Sequence, residues 1–209
     1  MSVSASVKIN KLFISLIIFS VLFFSSCLDI ETDISLEADG SAAAVLTYRF
    51  SSEAADFGRG FGSDEPWPFP LTEEDFLTQT LRYPGVEVLR YRNWTDSDGS
   101  EGIEVKLKAD SLESLSDYLG LGMAVRTDGD TGSMRIEFPF SENYREADSR
   151  LRESIDRIIG DSVLRMSFSP PSSPKTGNPG IVDGGKAVLE LSLKDILHQE
   201  EAIFWSVDW

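Results

Sequence analysis

The chain has one cysteine, Cys27, and one histidine, His198, among 209 residues. With no second thiol, no intramolecular disulfide can form, so the fold must stand on its core. Nucleophilic triads and most zinc sites need a histidine with partners set around it in space. His198 lies in the polar run His198-Gln199-Glu200-Glu201 and reads as a surface residue with no catalytic or metal role. Positive charge is also scarce: 19 Lys and Arg face 35 Asp and Glu, a net charge of −16. Phosphate binding needs clustered Lys and Arg, so nucleic acid is ruled out as a partner class. The same balance argues against lying flat on anionic headgroups. Aromatics at 11% and apolar residues at 41% mark a globular chain rather than a disordered one.

Long apolar runs are scarce too. The one present, Leu12–Phe24, follows a segment that carries Lys8 and Lys11 and no acid, and it precedes Ser25, Ser26 and Cys27. It falls short of the roughly 17–25 residues that span a bilayer comfortably. Charged start, short apolar middle and small-residue end are the parts of an export signal. A cysteine directly after two small residues resembles the lipobox of bacterial lipoproteins. The resemblance implies cleavage before Cys27, fatty acylation (palmitate-type chains) on Cys27, and residence on the extracytoplasmic side of a bacterial cell envelope. It leaves inner and outer membrane open. The expected division is a signal peptide over residues 1–26 and a single lipid-anchored domain over 27–209. An uncleaved signal-anchor is the competing reading.

The remainder reads as hairpins and helices in alternation. Leu28–Glu37 alternates, with Leu28, Ile30, Ile34 and Leu36 on one face; Asp39-Gly40 turns, and Ala42–Phe50 returns. Thr72 opens a helix answered by Asp75, with Phe76, Leu77 and Leu81 as its apolar face. Strands follow at Val86–Trp94 and Gly102–Ala109, then a helix capped by Asp110 with Leu112, Leu115 and Leu119 inward. Met123–Thr127 and Ser133–Phe140 form a third hairpin, and Ser141 caps a long helix, Glu142–Ile159. Ser162–Ser169 and Lys186–Ser192 are strands around Pro170–Gly185, a mobile loop by composition. Leu193–Gln199 is a short helix. A last strand, Ala202–Trp209, carries Ile203, Trp205, Val207 and Trp209 on one face. The fold class is α+β: a mostly antiparallel twisted sheet of successive hairpin–helix units with helices on one face.

A lipobox-like start, an alternating strand, the turn Asp39-Gly40-Ser41, a second strand at Ala43–Phe50 and a terminal aromatic strand with Trp205-Ser206 together resemble the LppM-type domain of bacterial lipoproteins. The resemblance implies an α/β lipoprotein domain at the cell envelope with a role in lipid or envelope-surface interaction. It implies no catalytic residues, and none are carried over.

Phe57, Phe61, Trp67 and Phe69 lie close together in a stretch without strand or helix period. Either they cover part of the core, or they form a contact for a ligand, a partner or the membrane interface, where Trp is favoured. Two tryptophans on the last strand read as core; with Tyr48, Tyr91 and Phe138 they are the alternative lining of a pocket. Asp96–Glu101 and Asp128-Gly129-Asp130 gather oxygens, but the spacing of a calcium loop is missing and hairpin turns explain them. Gly58–Gly62 lacks the strand, helix and Lys-Ser/Thr of a phosphate loop. Arg90/Arg92 and Arg150/Arg152 read as solvated charges. No metal, cofactor or enzymatic activity is expected. The leading expectation is a membrane-anchored, non-catalytic binding module for a lipid, glycolipid or envelope protein. The alternatives are an assembly subunit of an envelope complex and, behind it, a carboxylate-dependent hydrolase.

Overall fold

The computed structural model describes residues 28–52, 54, 70–128, 131–138, 144–145, 148–160 and 162–209. Alternation along Leu28–Leu36 (β1) and Ala42–Phe50 (β2) buries every second residue on one face. Thr32 joins the apolar set there. The Asp39 carboxylate accepts hydrogen bonds from the Ser41 amide and hydroxyl while Gly40 takes φ +86°, and this closes the hairpin in register from Leu28↔Phe50 to Leu36↔Ala42. Asp98-Gly99-Ser100 repeats the device between Val86–Thr95 (β3) and Glu101–Ala109 (β4).

The helix Glu73–Thr80 (α1) has the expected capping box of Thr72 and Asp75. Its apolar face is narrower than the sequence suggests. Phe76 is fully buried between Tyr48 and Tyr91, at ring distances of 6.5 and 6.1 Å, whereas Leu77 is 48% and Leu81 84% exposed. So short a helix rests on the sheet through one large side chain. Leu112–Leu119 (α2) is capped by Ser111, not Asp110. The Asp110 amide still donates to the Gly85 carbonyl, so that residue belongs to the end of the β3–β4 hairpin and the helix starts one position later. Leu112 and Leu115 are buried, and Gly120 ends the helix in the left-handed region.

Two sheets form, where the sequence suggests one. The larger contains β3, β4, β2, β1, Val163–Ser169 (β7), Lys186–Ser192 (β10) and Ile181–Asp183 (β9) in that order. The smaller orders Gly122–Asp128 (β5), Thr131–Phe138 (β6), Ile203–Asp208 (β11) and Thr176–Asn178 (β8). All pairs are antiparallel except β1 with β7, so the large sheet is mixed. The α+β class stands. The third hairpin covers the apolar face of the large sheet instead of extending it. Trp205, Val207, Met134 and Ile136 are buried there, and the Trp209 ring meets Phe168 at 5.7 Å.

The helix Ser149–Ile159 (α3) begins at Asp148, whose carboxylate accepts from the amides of Arg150 and Leu151. It is shorter than the expected Glu142–Ile159, of which residues 142–143 and 146–147, like the expected cap Ser141, lie outside the described residues. Residues 170–185 depart most from expectation. Their Pro and Gly content serves two short strands: β8 edges the small sheet and β9 the large one. Gly180 lets the crossing pass tightly, since a Cβ there would lie 2.4 Å from the Val188 carbonyl oxygen. Leu193–His198 (α4) follows β10 as expected.

The fully buried Ser162 precedes β7; its hydroxyl accepts the Leu28 amide at 3.0 Å. Ser162→Ala leaves that amide without its acceptor and should cost about 1–3 kcal/mol in urea unfolding. By the same measurement Phe76→Ala should cost about 3–5 kcal/mol, and Leu81→Ala should stay within about 0.5 kcal/mol of the parent.

Candidate functional site

At the end of the large sheet where β1 turns into β2, a half-open cleft of about 750 Å³ lies between the two sheets. Leu36, Leu112, Met123, Val125 and Trp209, buried or half-buried, are its apolar lining, and Pro171 closes one side. Glu37, Asp39 and Glu113 are exposed acids on its margin. Each is placed by local sequence. Asp39 is pinned by the turn, where the hydrogen bonds from Ser41, side chain first, hold its carboxyl below the ordinary range and keep it charged. Glu113 sits in the first turn of α2, where the helix dipole favours an acid. Trp209 can reach its place because residue 132 is glycine: a Cβ there would stand 2.3 Å from the indole.

Cys27 immediately precedes β1 in the sequence. Leu28, the next residue, starts β1, and Leu36 ends it. At about 3.3 Å per residue the cleft lies on the order of 26 Å from the start of the strand. Cys27 itself, and Phe57, Phe61, Trp67 and Phe69, lie outside the described residues, as do Gly58–Gly62 and Gly129-Asp130.

His198 has partners that the sequence does not announce. Its Nε2 is 2.8 Å from the Tyr144 hydroxyl and 2.9 Å from Asp156 Oδ1, and the Tyr144 hydroxyl donates to the same Oδ1 at 2.7 Å. The carboxylate is an acceptor only and the single phenol proton is spent on it, so the geometry assigns a hydrogen to Nε2. The three atoms form a closed hydrogen-bonded triangle tying α3 to α4. Residues 144, 156 and 198 are too far apart in sequence for any spacing rule to connect them. Among the described residues no group of three or more His, Cys, Asp or Glu is placed to hold a metal.

The other candidates resolve into structure. Asp98 is occupied by its turn. Trp205, Val207 and Trp209 are core, as are Tyr48 and Phe138, with Tyr91 packed against them. Arg90 and Arg92 are exposed, the latter with its guanidinium 5.4 Å from the Trp94 ring centre. The cleft itself was not legible beforehand. Its parts come from five separate stretches, and only the stacking of one sheet on the other assembles them.

The triangle makes a two-sided pH prediction. Burial raises the Asp156 carboxyl, but hydrogen bonds from His198 and Tyr144 outweigh it and hold the group below 3.8. Burial first, then the hydrogen bond to Asp156, pushes the Tyr144 phenol from 10.0 up to about 12. A depressed carboxyl stabilises the fold above its unfolded value, and that contribution is lost as pH falls through the folded value. A raised phenol stabilises below its unfolded value and the contribution is lost as pH climbs toward the folded one. Asp156→Asn should therefore lose the acid limb of the stability profile and Tyr144→Phe the alkaline limb, read by urea unfolding across pH.

No family model matches the chain, and no curated protein does. Among solved structures the chain is similar to the folded domain of the Mycobacterium tuberculosis LppM protein, determined by NMR. The TM-score is 0.46 and the identity 13%, over 89% of this chain and 91% of that one. The likeness is distant: it does not make the chain a member of that group and passes no residue's role to it.

Proposed function

We propose that this protein is a lipid-anchored, non-catalytic binding module of a bacterial cell envelope, held through Cys27 and presenting its cleft to an envelope partner. One observation carries the reading. The residue after Cys27 already belongs to a central strand of the large sheet, paired on both sides by β2 and β7. An acyl group on Cys27 is thus joined to the rigid body of the domain with no spacer. The cleft, at the far end of that strand, is turned away from the anchored end. Its half-open shape and acidic margin favour a polypeptide or other polar partner over an acyl chain, which calls for an enclosed apolar volume.

Phe50 pairs with Leu28, so β2 ends beside the start of β1, and Phe57, Phe61, Trp67 and Phe69 follow that end in the sequence. That supports a role for these rings as a contact at the bilayer interface, where aromatic side chains are favoured.

The test is chemical. Mass spectrometry of the native chain should find Cys27 as an acylated N-terminus, and Cys27→Ser should move the protein out of the membrane fraction. A bare Cys27 with residues 1–26 still attached sinks the proposal.

A further inference from the structure

The cleft runs along a strand edge, and this points to what fills it. Successive side chains of a strand point to opposite faces, so a cavity seated on one face touches alternate residues. This cleft touches Met123, Ala124 and Val125 in succession, and Thr127 beyond them. Met123, Val125 and Thr127 are the alternate residues of one face and Ala124 adds the backbone between them, so the cleft takes in main chain of β5 as well as that face, and β5 is the outermost strand of the small sheet on that side.

The hydrogen-bond parity says which groups face outward. Gly132 exchanges both main-chain bonds with Trp209, so the even residues of β6 bond to β11 and the odd ones to β5. The partners of the odd residues are Gly122, Ala124 and Arg126, which leaves Met123, Val125 and Thr127 turned away from β6. An independent contact agrees: the Met123 amide donates to Ser116 Oγ and the Leu121 carbonyl, off the sheet. Beyond Met123 the outward amides and carbonyls of Val125 and Thr127 have no main-chain partner among the described residues.

Resting on the reading of the chain as a binding module, we infer that the cleft takes an extended, basic segment of a partner protein, which adds as a fifth strand beside β5. Main-chain bonds to Val125 and Thr127 hold it. Its alternate apolar side chains enter the lining at Leu36, Leu112 and Trp209, and its Lys or Arg side chains meet Glu37, Asp39 and Glu113. The acidic excess of the chain as a whole adds to the attraction of such a segment.

The probe is a fluorescein-labelled peptide of alternating valine and lysine, titrated by anisotropy against the full chain in detergent. Hydrogen exchange is followed over residues 122–128. The expected result is binding with slowed exchange at Val125 and Thr127. Alternate N-methylation of the peptide removes one or two main-chain bonds and should weaken it about tenfold. Thr127→Pro deletes an outward amide without touching the ladder to β6, and should weaken binding comparably while the melting temperature holds. Glu37→Gln with Glu113→Gln should weaken the lysine peptide and flatten its salt dependence. The inference is overturned if the N-methylated peptide binds equally well, if a valine–glutamate peptide does, if protection falls elsewhere, or if a lysophospholipid takes the cleft in its place. Anchoring is read separately. A chain acylated on Cys27 that ignores the peptide overturns this inference alone, and a chain with bare Cys27 that binds it supports this inference and sinks the anchor.

Discussion

The parallel seam between β1 and β7 is the contact on which the rest of the large sheet depends. It joins residues 134 positions apart, from Ile30↔Leu164 to Ser35↔Ser169. On one side hang β2, β4 and β3, from two local hairpins joined by the β2–β4 pairing; on the other hang β10 and β9. Hairpins form through short loops, but a parallel pair needs a long crossover. Here the crossover is the whole middle of the chain, including the hairpin that becomes part of the covering sheet. Hydrogen bonds from outside the ladder help fix the seam: the Leu28 amide on Ser162, and the Val163 amide on Asp29.

The second sheet follows from the same requirement. One face of the large sheet carries Ile34, Leu46, Val105, Leu107, Met166 and Phe168, all buried. Two short helices cannot cover seven strands, and the rest is covered by β6 and β11 through Met134, Ile136, Trp205 and Val207. The stretch with β8 and β9 then fastens the layers together, since its two arms pair in different sheets. The cleft is where this covering stops short, at the end of β1.

What could be read from the sequence is what short-range chemistry decides. The first hairpin needs only alternation and an Asp-Gly-Ser turn, and its strand bounds agree almost to the residue. The box at Thr72 and Asp75 is equally local. Reading was harder where a neighbour distant in the chain decides. Leu77 and Leu81 have the right spacing to face inward and do not, because no partner surface among the described residues buries them. Residues 170–185 have the composition of a loop and are ordered by strands already in place. The His198 triangle and the acidic cleft follow from packing alone, so no spacing signals them.

The placement of β1 also has a mechanical side. Tension applied at its leading end acts along the strand, and that strand is held on both flanks by ladders running parallel to the pull. Such ladders are loaded in shear, with many hydrogen bonds sharing the force, whereas an edge strand peels one bond at a time. A domain fastened at this point would withstand tugging on its opposite end far better than one fastened at β3 or β9.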